Sequence, residues 1–98
     1  DENDLQCIVN EYKTGQGIAP HTDAKIFGDT IVCMSLGDPV NMIFKKNGSD
    51  KIISLKLDPR SVMTMTDEAR SEWLHSIPKE TRNRDFRRIS ITYRTVPK

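Results

Sequence analysis

A chain of 98 residues, 36% hydrophobic and 30% charged, has room for one modest core and none for a second domain. No apolar run approaches the roughly 18 residues of a membrane span, so a membrane partner is not expected. The opening Asp1-Glu2-Asn3-Asp4 has neither an initiator Met nor the apolar stretch of a signal peptide, which points to an excised piece of a longer chain.

In chain order, Leu5 to Tyr12 is apolar and β-branched and ends at the turn Thr14-Gly15-Gln16-Gly17. Thr30 to Leu36 is close to continuously apolar, the pattern of a strand buried on both faces. Cys7 and Cys33 fall in these two runs and read as buried, reduced thiols; there is no C-x-x-C or Cys/His zinc spacing. Val40–Lys46 and Lys51–Leu57 flank Asn47-Gly48-Ser49-Asp50, which predicts a hairpin. Ser61–Thr66 follows Pro59 as another strand. Thr66 or Asp67 is placed to cap a short helix, Glu68 to Trp73. Arg87–Val96 is the last and clearest strand. Met34, Met42, Met63 and Met65, with Trp73 and Phe86, read as core fillers. Seven or so short strands with tight turns predict a sandwich or jelly roll closed around a small cavity.

The last strand alternates. Ile89, Ile91 and Tyr93 share one face, and Arg88, Ser90, Thr92 and Arg94 share the other. A surface strand alternates in the same way. A polar face with an arginine at each end also suits the inside of a cavity that binds a dianion, because the guanidinium fork matches a carboxylate with two hydrogen bonds. Charge is unevenly spread as well. Residues 79–98 hold seven basic residues against Glu80 and Asp85, while the rest holds eight basic and twelve acidic residues. Such an edge, with Arg82, Arg84 and Arg87 in it, suits phosphates or is simply a solvated basic loop.

Both histidines belong to one pattern: His21-Thr22-Asp23, with His75 further on. On extended backbone His21 and Asp23 point to the same side. Two imidazoles and one carboxylate are the facial ligand set of non-haem Fe(II), and the same donors also serve hydrolytic zinc.

Asn10-Glu11-Tyr12, Gly15-Gln16-Gly17-Ile18, Pro20-His21-Thr22-Asp23, Ser35-Leu36-Gly37, Arg70-x-x-Trp73-x-His75 and Arg88-x-x-x-x-x-Arg94 together resemble the AlkB family, in its order and spacing, over about residues 7–96. The resemblance implies a mostly β fold, a double-stranded β-helix (jelly roll, cupin-like) with one short helix. Residues 1–98 would form a single catalytic core without the upstream nucleotide-recognition lid. It implies Fe(II), 2-oxoglutarate and O2, with His21, Asp23 and His75 on the iron. Arg88, helped by Tyr12, would take the distal carboxylate of 2-oxoglutarate. Asn10 and Arg94 would sit toward the end that chelates iron, and Ser90 would bond the cosubstrate or water. The implied reaction hydroxylates a modified nucleobase or removes an alkyl group from it, in RNA, tRNA or single-stranded DNA, in the cytoplasm or nucleus. Gly15–Ile18 and the Met65–His75 stretch are most similar to members that hydroxylate a modified wobble uridine in tRNA.

Two departures qualify the substrate. Repair members often carry an acidic residue two positions after the metal Asp, where this chain has Lys25, and the lid that reads a flipped base is expected to lie outside residues 1–98. The alternatives are an oxygenase acting on a protein or small molecule, and a non-catalytic metal-binding β-barrel module.

Overall fold

The structure, a computed structural model, describes residues 3–97; Asp1, Glu2 and Lys98 of the stretches read above lie outside them. Eight strands and one short helix follow in the order β1 (Asn3–Lys13), β2 (Ile18–His21), β3 (Ile31–Gly37), β4 (Val40–Lys46), β5 (Ile52–Leu57), β6 (Ser61–Met65), α1 (Asp67–Ser71), β7 (Trp73–Ile77) and β8 (Arg87–Pro97). They form two four-stranded sheets, ordered β1-β8-β3-β6 and β2-β7-β4-β5, with every paired neighbour antiparallel. This is the expected jelly roll. Each sheet has strands distant in sequence at its centre, so neither sheet closes until the chain is nearly complete. Among the described residues, no helix is long and apolar enough to cross a membrane.

The core lies between the sheets. Ile31 and Met65 come from the first sheet, and Val40, Met42, Phe44, Leu57 and Ile77 from the second. Phe86 closes one end, and Tyr12, Ile18, Phe27, Met63 and Trp73 pack around the edge. Each fully buried aliphatic or aromatic side chain contributes roughly 1.5–3 kcal/mol relative to exposure. The Asn47-Gly48 turn joins β4 to β5, with Lys46 N–H donating to the Lys51 carbonyl at 3.1 Å.

Three expectations are corrected. The helix stops at Ser71, and Trp73 opens β7, because Trp73-Leu74-His75-Ser76-Ile77 pairs with β4 on one side and β2 on the other. Thr66 occupies the N-cap position, but its side chain makes no capping bond. Cys7 is exposed, while Cys33 is buried and free. The reason is parity on β1: Gln6, Ile8, Asn10 and Tyr12 alternate with Leu5, Cys7, Val9 and Glu11, and of these the cavity is lined by Ile8, Asn10 and Tyr12. Leu5, Val9 and, across the sheet, Val62 are exposed on the structure's outside. Among the basic residues of the final segment, Arg87 is paired with Glu11 and not left free for phosphate, and this guanidinium holds the Glu11 carboxyl below its usual range.

Gly37 ties the fold to the site. It ends β3 directly opposite Arg88, has a φ of +81°, and a Cβ there would run into the Arg87 carbonyl oxygen. The neighbouring Asp38 N–H donates to that same carbonyl at 2.8 Å. An alanine in such a backbone conformation costs about 1–3 kcal/mol before any clash. Gly37→Ala is therefore expected to lower the denaturant midpoint by at least that equivalent and to displace Arg88; an unchanged midpoint in urea would contradict the close approach.

Candidate metal and anion site

A cavity of about 300 Å³ lies between the sheets. One wall carries His21, Asp23 and His75. The other carries Asn10, Tyr12, Arg88, Ser90 and Arg94. All eight residues singled out from the sequence thus line one space.

The imidazole wall follows from strand pairing. His21 ends β2 and stands directly opposite His75 of β7, which brings the two ring centroids to 4.3 Å. Asp23 lies two residues beyond β2, and its Oδ1 is 3.6 Å from His21 Nε2. One ligand atom from each of the three residues lies within 4.8 Å of the others, a group able to hold a metal ion. His21 Nδ1 is 2.8 Å from the Ala19 carbonyl, which can only accept, so the ring donates there. In the neutral ring this leaves the Nε2 lone pair facing a carboxylate oxygen. Two facing acceptors are what a cation between them would stabilise, and an imidazole whose other nitrogen donates to a carbonyl is the usual arrangement of a metal ligand. His75 is buried, and this burial, with the neighbouring His21 second, pushes its pKa below the ordinary 6.5. The neutral form that binds metals is therefore favoured.

The opposite wall is organised by register. Tyr12 pairs with Arg88 and Asn10 with Ser90 across β1 and β8, so these four side chains share the inward face. The alternation of β8 is thus resolved: Arg88 and Ser90 are buried, and the polar face looks inward. Arg88 is 1% exposed. Its Nη2 donates to Ser35 Oγ at 3.0 Å and approaches Cys33 Sγ at 3.8 Å, while the guanidinium carbon sits 5.6 Å from the Tyr12 ring centroid. Its Nε is buried with no hydrogen-bond partner among the described residues. A desolvated guanidinium with a spare donor is costly unless an anion meets it. The wall therefore fits a carboxylate, and the facing donor set fits a divalent cation.

Arg94 is held differently. Its Nε donates to Gln6 Oε1 at 2.8 Å, and its guanidinium carbon lies 3.5 Å from the centroid of the Phe27 ring. Neither Gln6 nor Phe27 is marked by the sequence pattern. For Gln6 a signal existed, since it shares β1 parity with Asn10 and Tyr12. Ser35 and Cys33 were likewise not singled out as partners of Arg88. Lys25 is exposed on the turn after Asp23.

The chain is similar to known proteins in sequence and in fold. Residues 3–94 match the family model of the 2OG-Fe(II) oxygenase superfamily. The Uncharacterized protein L905 of Acanthamoeba polyphaga mimivirus is 38% identical over 107 residues, covering 100% of this chain and 51% of that protein. The tRNA (carboxymethyluridine(34)-5-O)-methyltransferase alkbh8 of Xenopus tropicalis is 42% identical over 74 residues, covering 74% of this chain and 12% of that protein. The solved structure of OsALKBH1 superposes with a TM-score of 0.74 at 20% identity, over 90% of this chain and 48% of that one, and shares the fold. The chain thus spans about half, or less, of the proteins it matches.

Proposed function

The chain belongs to the 2OG-Fe(II) oxygenase superfamily, among its AlkB-type members, and on that premise we propose that it is the core of a dioxygenase that hydroxylates or oxidatively dealkylates a modified nucleobase in RNA, tRNA or single-stranded DNA. The observation that carries the reading is the pairing of walls in one cavity: a His-Asp-His donor group faces a buried arginine with an unpartnered donor. When bound, Fe(II) with 2-oxoglutarate and O2 supplies the oxidation of a substrate C–H bond, and the protein supplies placement.

Each residue then has a task. His21, Asp23 and His75 hold the metal. Arg88 binds the distal carboxylate of 2-oxoglutarate through its fork; Ser35 orients that fork, and Tyr12 covers it. Asn10, Ser90 and Arg94 orient the end of the cosubstrate nearer the metal. Met42, Met63 and Met65 line the remaining wall and exclude water. Residues 1–98 act as one unit holding metal and cosubstrate. A cytoplasmic or nuclear location belongs to the same proposal.

A nucleic-acid substrate draws support from the Xenopus relative, whose name places it on tRNA at a carboxymethyluridine. Arg82 and Arg84, exposed in the loop before β8, and separately Lys25, exposed on the turn after Asp23, are basic side chains suited to phosphate. The test uses purified protein with Fe(II), 2-oxoglutarate and oxygen. Succinate should form, and tRNA, single-stranded DNA and peptides are then offered and weighed. Gain of one oxygen atom, or loss of an alkyl group, on a nucleic acid supports the proposal. Modification of peptides alone would reject the nucleic-acid substrate while keeping the chemistry, and absence of succinate in every reaction would reject the oxygenase reading of this chain.

A further inference from the structure

Arg70 lies outside the cavity, yet it is among the most organised side chains of the molecule. It is 8% exposed and belongs to α1, just before the strand that carries His75. Its donors spread over four backbone carbonyls of one turn: Nη1 to Asp23 at 2.9 Å, Nη2 to Ala24 at 2.9 Å and to Phe27 at 3.2 Å, and Nε to Gly28 at 3.1 Å. Carbonyl dipoles converging on one point repel each other unless a cation sits there, and the planar guanidinium is the side chain that can meet four at once.

The turn it organises carries a metal-ligand candidate. His21 and His75 lie on paired strands, so the β ladder sets their separation. Asp23 lies on neither β2 nor β3, and no ladder fixes it. Within the turn, Phe27 N–H donates to the Ala24 carbonyl at 3.1 Å, and Gly28 N–H anchors the far end on the Thr95 carbonyl at 3.1 Å. Gly28 sits so close to β8 that a Cβ would collide with Thr95 Oγ1. The near end, from which the Asp23 carboxylate departs, is held by Arg70.

From this geometry we infer that Arg70 is the positioning residue for Asp23: it holds the turn so that the carboxylate meets the two imidazoles, and so sets the chain's affinity for a divalent metal. The inference rests on the metal reading proposed above and assigns Arg70 no contact with metal or substrate. Groups that orient a metal ligand typically cost 10–100-fold in metal affinity when removed, a loss expected here at about that scale. Lysine keeps the charge but offers a single ammonium, which cannot span four carbonyls.

The experiment measures Mn(II) affinity by titration and the Co(II) d–d absorption spectrum on the parent chain, Arg70→Lys, and the core variant Leu57→Ala, at a temperature where all are folded. Arg70→Lys should bind Mn(II) about 10–100-fold more weakly and alter the Co(II) spectrum through loss of the oxygen donor. Leu57→Ala, which removes a buried side chain away from the cavity, should lower the melting temperature without changing either readout. An independent pair removes dependence on how Arg70→Lys folds: Gly28→Ala should weaken Mn(II) binding by about tenfold, and adding Thr95→Ala should restore it, since the obstructing hydroxyl is gone. If the parent binds metal while Arg70→Lys and Gly28→Ala match it within about twofold, Arg70 merely supports the fold and the inference is wrong. If the parent binds no metal at all, the metal reading falls and takes this inference with it.

Discussion

Arg88→Met is expected to remove 2-oxoglutarate binding, on the order of 100-fold or more, while leaving the metal affinity of the chain near that of the parent. Truncating one partner of a buried, hydrogen-bonded charge pair costs about 2–5 kcal/mol, or roughly 30- to 5,000-fold, and 100-fold lies in the lower part of that range. Arg88 is 1% exposed and stands on the wall opposite the donor group, so its loss reaches the anion and not the cation. Thermal shift gives a direct readout. With Mn(II) present, 2-oxoglutarate at 100 times its dissociation constant adds about 2.7 kcal/mol to the parent. For a domain of this size that is roughly 10 °C or more, and the shift should vanish in the variant. The ligand-free variant should be at least as stable as the parent, because a buried guanidinium whose Nε has no partner is costly and methionine fills similar space without charge. Arg88→Lys should fall between, since an ammonium keeps the charge and loses the fork. A methionine variant that still shows the full 2-oxoglutarate shift would remove Arg88 from the site.

How legible this wall was in the sequence depends on one ambiguity. β8 alternates cleanly, and alternation says which side chains share a face but not which face is inside. The usual rule, apolar in and polar out, would have turned Ile89, Ile91 and Tyr93 to the core. The protein does the reverse: Arg88 and Ser90 are buried, and the sheet's outer side carries exposed Leu5, Val9 and Val62. Which face of β8 is buried is visible only once β1 and β3 are laid beside it. The same inversion explains Cys7, whose apolar neighbours made it look buried.

The short elements around the metal group were harder for a different reason. β7 follows a helix of five residues, too short for periodicity to separate them. β2 has four residues, contains Pro20 and shifts register between Ile18 and His21. Individual residues nevertheless carried the site, because metal donors and arginines are rare and chemically marked. What no local pattern shows is the support beneath them. Gln6 meets Arg94 across 88 positions, and Arg70 reaches carbonyls 42 to 47 positions away. Phe27 carries no signature at its position; for Gln6 only the β1 parity it shares with Asn10 and Tyr12 pointed inward, and its pairing with Arg94 arises from topology.

The two histidines should separate in how their loss affects the metal-free chain. His21→Leu and His75→Leu are both expected to cut Mn(II) affinity by at least about 100-fold, since losing a ligand costs no less than losing its support. Their consequences for folding differ because His75 is buried beside Phe44, at 6.2 Å between ring centroids, whereas the His21 side chain is 39% exposed. Burial holds the His75 pKa below 6.5 in the folded state. Below that pH the unfolded chain takes up a proton that the folded chain resists, so the unfolded state binds more protons and stability falls as pH drops. The contribution is fully present above 6.5 and is lost progressively as pH falls toward the folded-state value. Leucine does not titrate and fits an apolar surround. His75→Leu should therefore flatten the acidic limb of the metal-free stability profile between pH 6.5 and the onset of carboxylate titration, and gain on the parent most at the acid end. His21→Leu should retain a shallower version of that limb, because removing His21 takes away the second cause of the depression and lets the folded-state pKa of His75 rise toward 6.5. Urea unfolding of the three metal-free proteins across this range decides the matter: parallel pH profiles for the parent and His75→Leu would mean that His75 is not the buried, proton-resisting ligand described above.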